Sequence, residues 1–269
     1  MSATKIEWAH ETWNPISGCS PVSAGCKNCY AARMAKRLAG RHGYPKKNPF
    51  ALTWHEDQFY KAEKWMNSRK RKRIFVCSMG DLFHEDVPVD WRDRIFYAMT
   101  NTPLKDKHDF LILTKRPETA LHYLTNRNWI SVYWKKKGHR PGESKLTPNV
   151  WIGVTAEDQA MADERIPVLL QIPAAVRFVS VEPMLGHISL EKYIGYYEKY
   201  NFDKEPESKL DWVICGAETG PGKRPMERDW ARALRDQCVN AGVPFFFKKD
   251  SNGVRSLDGM WEQFPGGAR

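Results

Sequence analysis

What this chain lacks narrows it first. No apolar run approaches the eighteen residues that span a bilayer. The opening stretch, MSATKIEWAHETWNP, contains acidic residues and no continuous apolar core, so no secretory leader and a cytoplasmic location are expected. No repeat at a period of 20–50 residues recurs, no segment is low in complexity, and no linker divides the chain. A G-x-S-x-G elbow, an H-E-x-x-H helix and a Walker loop are all missing, which removes the common hydrolase chemistries. Cysteine is scarce, six in 269 residues, yet half of them sit in one loop.

That loop is GCSPVSAGCKNCY, carrying Cys19, Cys26 and Cys29 just after the apolar, turn-ended stretch TWNPIS. No fourth cysteine follows within forty residues, Cys77 being the next. Three thiolates on one loop can hold three irons of a cubane cluster and leave the fourth iron open to a small molecule. A structural zinc wants four protein ligands and a closed shell. The missing ligand therefore points to redox or radical chemistry, and a reducing compartment suits thiolate ligands. Cys77 and Cys215 lie in strand-like runs and Cys238 in a helix-like one, so these three read as small buried hydrophobes. The competing reading is a zinc site completed by His10 or His42, which would make the chain a non-catalytic nucleic-acid-binding protein.

Charge adds a second clue. The net charge is +10 and the pI near 9.3, and the excess is clustered. Arg33, Lys36, Arg37, Arg41, Lys46 and Lys47 come first, then Lys61 to Arg73 with SRKRKR, then KKKGHR at 135–140. Such clusters attract polyanions, nucleic acid foremost, and eleven Trp with ten Tyr offer rings on which bases can stack.

Apolar residues make up 42%, enough for a sizeable core. Strand-like runs cover Thr12–Ile16, Arg73–Ser78, Asp109–Thr114, Val150–Thr155, Val176–Val181, Trp212–Gly216 and Pro244–Lys248. Helix-like stretches lie between them, at Ala31–Ala39, Gln58–Arg69, Asp90–Thr100, Glu118–Leu124, Asp158–Leu170 and Asp229–Ala241. Continuous apolar strands alternating with helices imply βαβ units around a parallel sheet. About seven such units predict an α/β fold, a partial (β/α) TIM-type barrel, ahead of an open doubly wound sheet. The chain is expected to be a single barrel domain over 1–269, with insertions near 126–148 and 196–210.

Polar residues follow nearly every strand. Ser78, Asp81 and His84 follow the second; Thr114, Lys115 and Arg116 the third; Thr155 and Glu157 the fourth. Glu182 follows the fifth, Glu218 the sixth, and Lys248 and Asp250 the last. In a parallel barrel these termini share one rim, where active sites are assembled. An open iron can chelate the amino and carboxylate groups of S-adenosylmethionine, and electron transfer into its sulfonium releases methionine and an adenosyl radical. Ser78, Asp81, Thr114, Thr155, Glu157 and Glu182 are the expected cofactor contacts, and Lys115, Glu218 and Lys248 the expected catalytic groups. Lys115 or Arg116 would pair with the ligand's carboxylate. His84 is a candidate for proton transfer or helix capping, and GAETGPG lets backbone approach a ribose or an adenine.

The motifs TKIEWAHETWNPISGCSPVSAGCKNCYA, SMGDLFHEDVP, LTKRPE, NVWIGVTAE, VRFVSVEPMLG, DWVICGAETGPGKRPM and PFFFKKD resemble, in order, the phage- and bacterium-borne three-cysteine-motif proteins of unassigned function. That family is grouped with the radical S-adenosylmethionine (SAM) superfamily. The resemblance implies a radical-SAM-like partial barrel, a [4Fe–4S] cluster on Cys19, Cys26 and Cys29, bound SAM and an external electron donor. The superfamily includes nucleic-acid modification and repair enzymes, which with the basic clusters favours DNA or RNA as substrate. An accessory subunit whose partner protein supplies the reaction is the other reading compatible with the resemblance. The chain departs from the superfamily's usual pattern in four places. Six residues separate the first two cysteines instead of three, and Asn28 replaces an aromatic. Ser78-Met79-Gly80-Asp81 stands for Gly-Gly-Glu, and KKDSNG stands where relatives carry Gln-Trp-Gly.

Overall fold

β-branched and aromatic residues in short unbroken runs bury both faces of a strand, and the chain uses them that way. The structure, a computed structural model, describes residues 4, 6–66, 68, 70–101, 103–106, 108–126, 148–195 and 209–267. In chain order the strands are β1 (Glu11–Trp13), β2 (Ile16–Ser17), β3 (Thr53–Trp54), β4 (Lys72–Val76), β5 (His108–Thr114), β6 (Val150–Thr155), β7 (Val176–Val181), β8 (Trp212–Cys215) and β9 (Phe245–Phe247). The helices are α1 (Tyr30–Leu38), α2 (Glu56–Tyr60), α3 (Glu63–Met66), α4 (Val89–Asn101), α5 (Pro117–Thr125), α6 (Gln159–Leu169) and α7 (Arg228–Ala241). Seven strands form one sheet in the order β1-β4-β5-β6-β7-β8-β9, with parallel pairing. β2 and β3 pair antiparallel in a small second sheet. The expected α/β architecture of about seven parallel strands is therefore what forms. Both expected insertions fall almost wholly outside the described residues, as does KKKGHR.

The chain groups into two compact units. The first comprises Met1–Val22, Cys29–Ile152 and Ile172–Ala175; the second comprises Ser23–Asn28, Gly153–Gln171 and Val176–Arg269.

In the first unit, Trp13 is fully buried against Phe59, Trp65 and Phe110, with ring centroids 6.0, 6.4 and 5.9 Å away. Its indole N–H donates to the carbonyls of Gln58 (2.9 Å) and Phe59 (3.3 Å). The same carbonyls also accept the Lys61 and Ala62 N–H groups at 3.2 and 3.3 Å in a tighter i→i+3 turn, and the helix expected over Gln58–Arg69 forms instead as α2 and α3. The strand expected over Thr12–Ile16 is divided too. Pro15 has no N–H for a ladder, and the chain leaves β1 after Trp13 to re-pair as β2. The Asn14 side-chain Oδ1 at this break accepts from Ser78 Oγ (3.1 Å) and from the Met79 N–H (3.3 Å).

In the second unit, Phe245, Phe246 and Phe247 are at most 1% exposed, and each contributes about 2–3 kcal/mol of burial. The edge of β9 is covered: the Phe247 N–H donates to Trp261 O, and the N–H of Gln263 to Phe245 O. Asp158 caps α6 by accepting the Met161 N–H at 2.9 Å. Gly242, at φ 68°, ends α7.

Candidate functional site

In the first unit the cysteine loop begins at a glycine that no other residue could replace without strain. Gly18 bridges Gly80, its N–H donating to Met79 O at 3.0 Å. Its φ is +100°, and a Cβ there would lie 2.4 Å from Ala51 O. A Cβ on Gly80 would lie 2.7 Å from Gly18 O. Two bare backbones thus meet beside the end of β4 and fix Cys19 there.

Arg116, at the start of α5, is the hub of this region. Its guanidinium is 4% exposed. NH1 donates to Cys19 Sγ (3.3 Å) and Asp81 Oδ2 (3.4 Å), NH2 to Ser20 O (3.1 Å) and Oγ (2.9 Å), and Nε to Glu85 (2.8 and 3.0 Å). Burial is the largest single effect and works against its charge, but attraction to Cys19 and Asp81 and the hydrogen bonds to Glu85 and Cys19 together raise its pKa. A fixed cation beside a thiol favours the thiolate.

Asp81 and Thr114, expected as cofactor contacts, lock two strand ends together. Asp81 accepts from Thr114 Oγ1 (2.7 Å) and from the N–H groups of Lys115 (3.0 Å) and Phe83 (3.0 Å). Ser78 is engaged with Asn14, as above. His84 is buried; its Nδ1 accepts the Asp86 N–H (3.2 Å), so Nε2 carries the proton and donates to Ser20 Oγ (2.7 Å). The Lys115 side chain is half-buried. Cys29 precedes α1, and its carbonyl accepts the Arg33 N–H at 3.2 Å. A cleft of about 510 Å³ in this unit is lined by Cys19, Ser20, Asn48, Phe50, His84 and Trp91, among others.

In the second unit two strand-end carboxylates hold the 23–28 segment. Glu157, fully buried, accepts the Gly25 N–H at 3.0 Å on one oxygen and Arg165 NH1 at 3.1 Å on the other. A Cβ on Gly25 would sit 2.9 Å from that first oxygen. Arg165 NH1 also donates to Thr155 O at 2.9 Å. Glu218 accepts from Asn28 Nδ2 (2.9 Å) and from three Arg224 donors, the N–H (2.8 Å), Nε (3.0 Å) and NH2 (2.5 Å). The Arg224 hydrogen bonds, against the opposing effect of burial, hold its pKa down at about 2. Glu218, expected as a catalytic group, is here bonded to Asn28 and Arg224. Cys26 closes a 3₁₀ turn, its N–H donating to Ser23 O at 3.0 Å. Glu182 and Lys248 form an ion pair. Asp250 is committed to its own turn, accepting from the N–H groups of Asn252 (2.8 Å) and Val254 (2.9 Å).

All six cysteines are thiols. Cys19, Cys26 and Cys29 are half-buried, whereas Cys77, Cys215 and Cys238 are buried, as expected. Burial pushes the Cys77 thiol up to about 12 and raises Cys215 and Cys238 as well. His10 Nδ1 accepts the Arg73 N–H at 2.8 Å. Among the described residues no three His, Cys, Asp or Glu side chains are grouped as metal ligands. The fit of the loop to a metal group therefore rests on donor chemistry, three accessible thiols and one buried cation. Sequence reasoning missed the contacts of Asn28, Arg165 and Arg224; only the position of Asn28, between the last two cysteines, could have signalled its role.

No helix among the described residues is long and apolar enough to cross a membrane. No curated protein matches the chain in sequence. Among solved structures it is similar to a cysteine-to-serine mutant of spore photoproduct lyase, with a TM-score of 0.50 and 12% identity. That similarity covers 89% of this chain and 75% of the other. It shows the fold, a radical-SAM-like partial (β/α) barrel of seven parallel strands. Residues 3–259 match the family described as "protein of unknown function (DUF5131)", and the chain belongs to that family.

Proposed function

We propose that the protein is an iron–sulfur enzyme of the radical-SAM type acting on a nucleic acid. Cys19, Cys26 and Cys29 would hold a [4Fe–4S] cluster. With SAM bound, such a cluster would supply the reductive cleavage chemistry, with the electron from an external donor. The observation that carries this proposal is the buried Arg116 guanidinium donating to Cys19 Sγ at 3.3 Å. A cation so placed favours a thiolate ligand, whereas burial raises the pKa of the three core thiols.

The chain's own residues divide the work. Asp81 and Thr114 fix the strand ends around Arg116; Glu157 holds the loop through the Gly25 N–H and Glu218 through the Asn28 side chain. Lys115 in the first unit, and Thr155, Glu182 and Lys248 in the second, are the groups proposed to meet cofactor and substrate. The net charge of +10 supports a polyanionic substrate. The test is anaerobic reconstitution with iron and sulfide, followed by spectroscopy and a 5′-deoxyadenosine assay. About four irons per chain and SAM cleavage are expected. Cys26→Ala loses the cluster and Cys238→Ala keeps it. A colourless protein with one tightly bound zinc and no SAM cleavage sinks the proposal.

A further inference from the structure

Between Glu11 and Glu56 the chain has no acidic residue, yet it carries Lys27, Arg33, Lys36, Arg37, Arg41, Lys46 and Lys47. Lys36, Arg37, Arg41, Lys46 and Lys47 are exposed and form no ion pair among the described residues. The neighbouring cluster at 61–73 is used differently. Arg71 grips Asp109 at 2.8 and 2.5 Å, and Lys72 pairs with Glu11 at 2.9 Å. Arg73, only 8% exposed, donates to Trp8 O, and Lys61 donates to Thr12 O. Those cations hold the fold; the 36–47 group faces solvent uncompensated.

This basic face joins the cleft through one apolar cluster. Ala31 and Ala35 of α1 pack with Tyr44 and Met79, and Phe50 packs against the same group. Phe50 also lines the cleft, as does Trp91, whose ring lies tilted 5.6 Å from Trp54, with Arg94 over the Trp54 face at 4.4 Å. Exposed Asn48 and Asp86 border it, and Cys19, Ser20 and His84 complete the lining. About 510 Å³ falls in the range of small-ligand sites, room for one nucleotide but not for a duplex. Aromatic walls stack any base, and an asparagine amide offers both a donor and an acceptor to a base edge.

We propose that this surface binds single-stranded nucleic acid, with α1 and the 41–47 turn holding phosphates and one unpaired base entering the cleft between Phe50 and Trp91, beside Cys19. This rests on the nucleic-acid part of the function proposed above and adds the strandedness and the place of the reacting base. An acidic protein partner would match the charge but would not need an aromatic cleft of nucleotide size.

Fluorescence anisotropy with the full-length, anaerobically reconstituted protein tests it, using labelled oligonucleotides of about twelve residues as single strands and as duplexes. Single strands are expected to bind at least about tenfold more tightly. The Lys46→Glu/Lys47→Glu variant, altered only at exposed positions, weakens binding and flattens the slope of log affinity against log salt by about 1.4. Trp91→Ala weakens single-strand binding by about tenfold or more with the slope unchanged, and Trp91→Phe, which keeps the fold and a stacking ring, restores most of it. Equal binding of single strand and duplex, or no loss in Trp91→Ala, overturns the base-in-cleft assignment while leaving a nucleic-acid substrate standing. No binding of either oligonucleotide by protein with full iron content overturns both, and capture of an acidic protein in their place would identify the face as a protein dock.

Discussion

Glu218 illustrates how a strand-end carboxylate becomes structural. Its pKa falls from an ordinary 4.5 to about 2, so the native state holds its charge more firmly than the unfolded chain does. A depressed carboxylate contributes stability that is complete above about pH 4.5 and is lost as pH falls from there towards 2. Wild-type protein should therefore lose more melting temperature between pH 7 and pH 3 than Glu218→Gln does. Identical acid losses in the two would show that the Asn28 and Arg224 contacts carry no stability. The position of this residue was legible in sequence, because a Glu directly after an apolar run stands out. Its role was not, because the Asn28 contact spans 190 residues. Arg116 hides its part the same way, reaching Cys19 across 97 residues.

Strands were the most legible elements, since β5 to β8 each hide an unbroken β-rich run on both faces. Where side chains compete for backbone groups, periodicity misleads. A tight turn at Lys61–Ala62, its carbonyls shared with the Trp13 indole, divides a helix whose spacing reads as continuous, and Asn14-Pro15 splits a strand whose composition does too. β3 is two residues long and draws its identity from its partner β2, so nothing local announces it. The glycines of the cysteine loop give this scale its test. Gly18→Ala drives a Cβ into rigid backbone at positive φ and should cost about 3 kcal/mol in chemical denaturation. Gly40→Ala, at φ +70° with its nearest neighbour Lys46 at 3.7 Å, should cost only about 1 kcal/mol. Equal costs would mean that the Ala51–Leu52 backbone beside Gly18 gives way and does not hold the start of the loop.

Across the whole molecule, the order of strands and the excess of positive charge both follow from the amino-acid pattern, and so does the inventory of sulfur. The division of that inventory by depth has a practical consequence. A small alkylating reagent applied to native apoprotein should add three adducts by intact mass, and six once the chain is denatured. Loading with iron and sulfide should erase the first three and leave the denatured total unchanged once the metal is stripped. Adducts on Cys77, Cys215 or Cys238 in native protein would contradict their burial. The chain thus carries its own internal standard: three sheltered sulfurs report whether a preparation is intact, while three accessible ones report what it has bound.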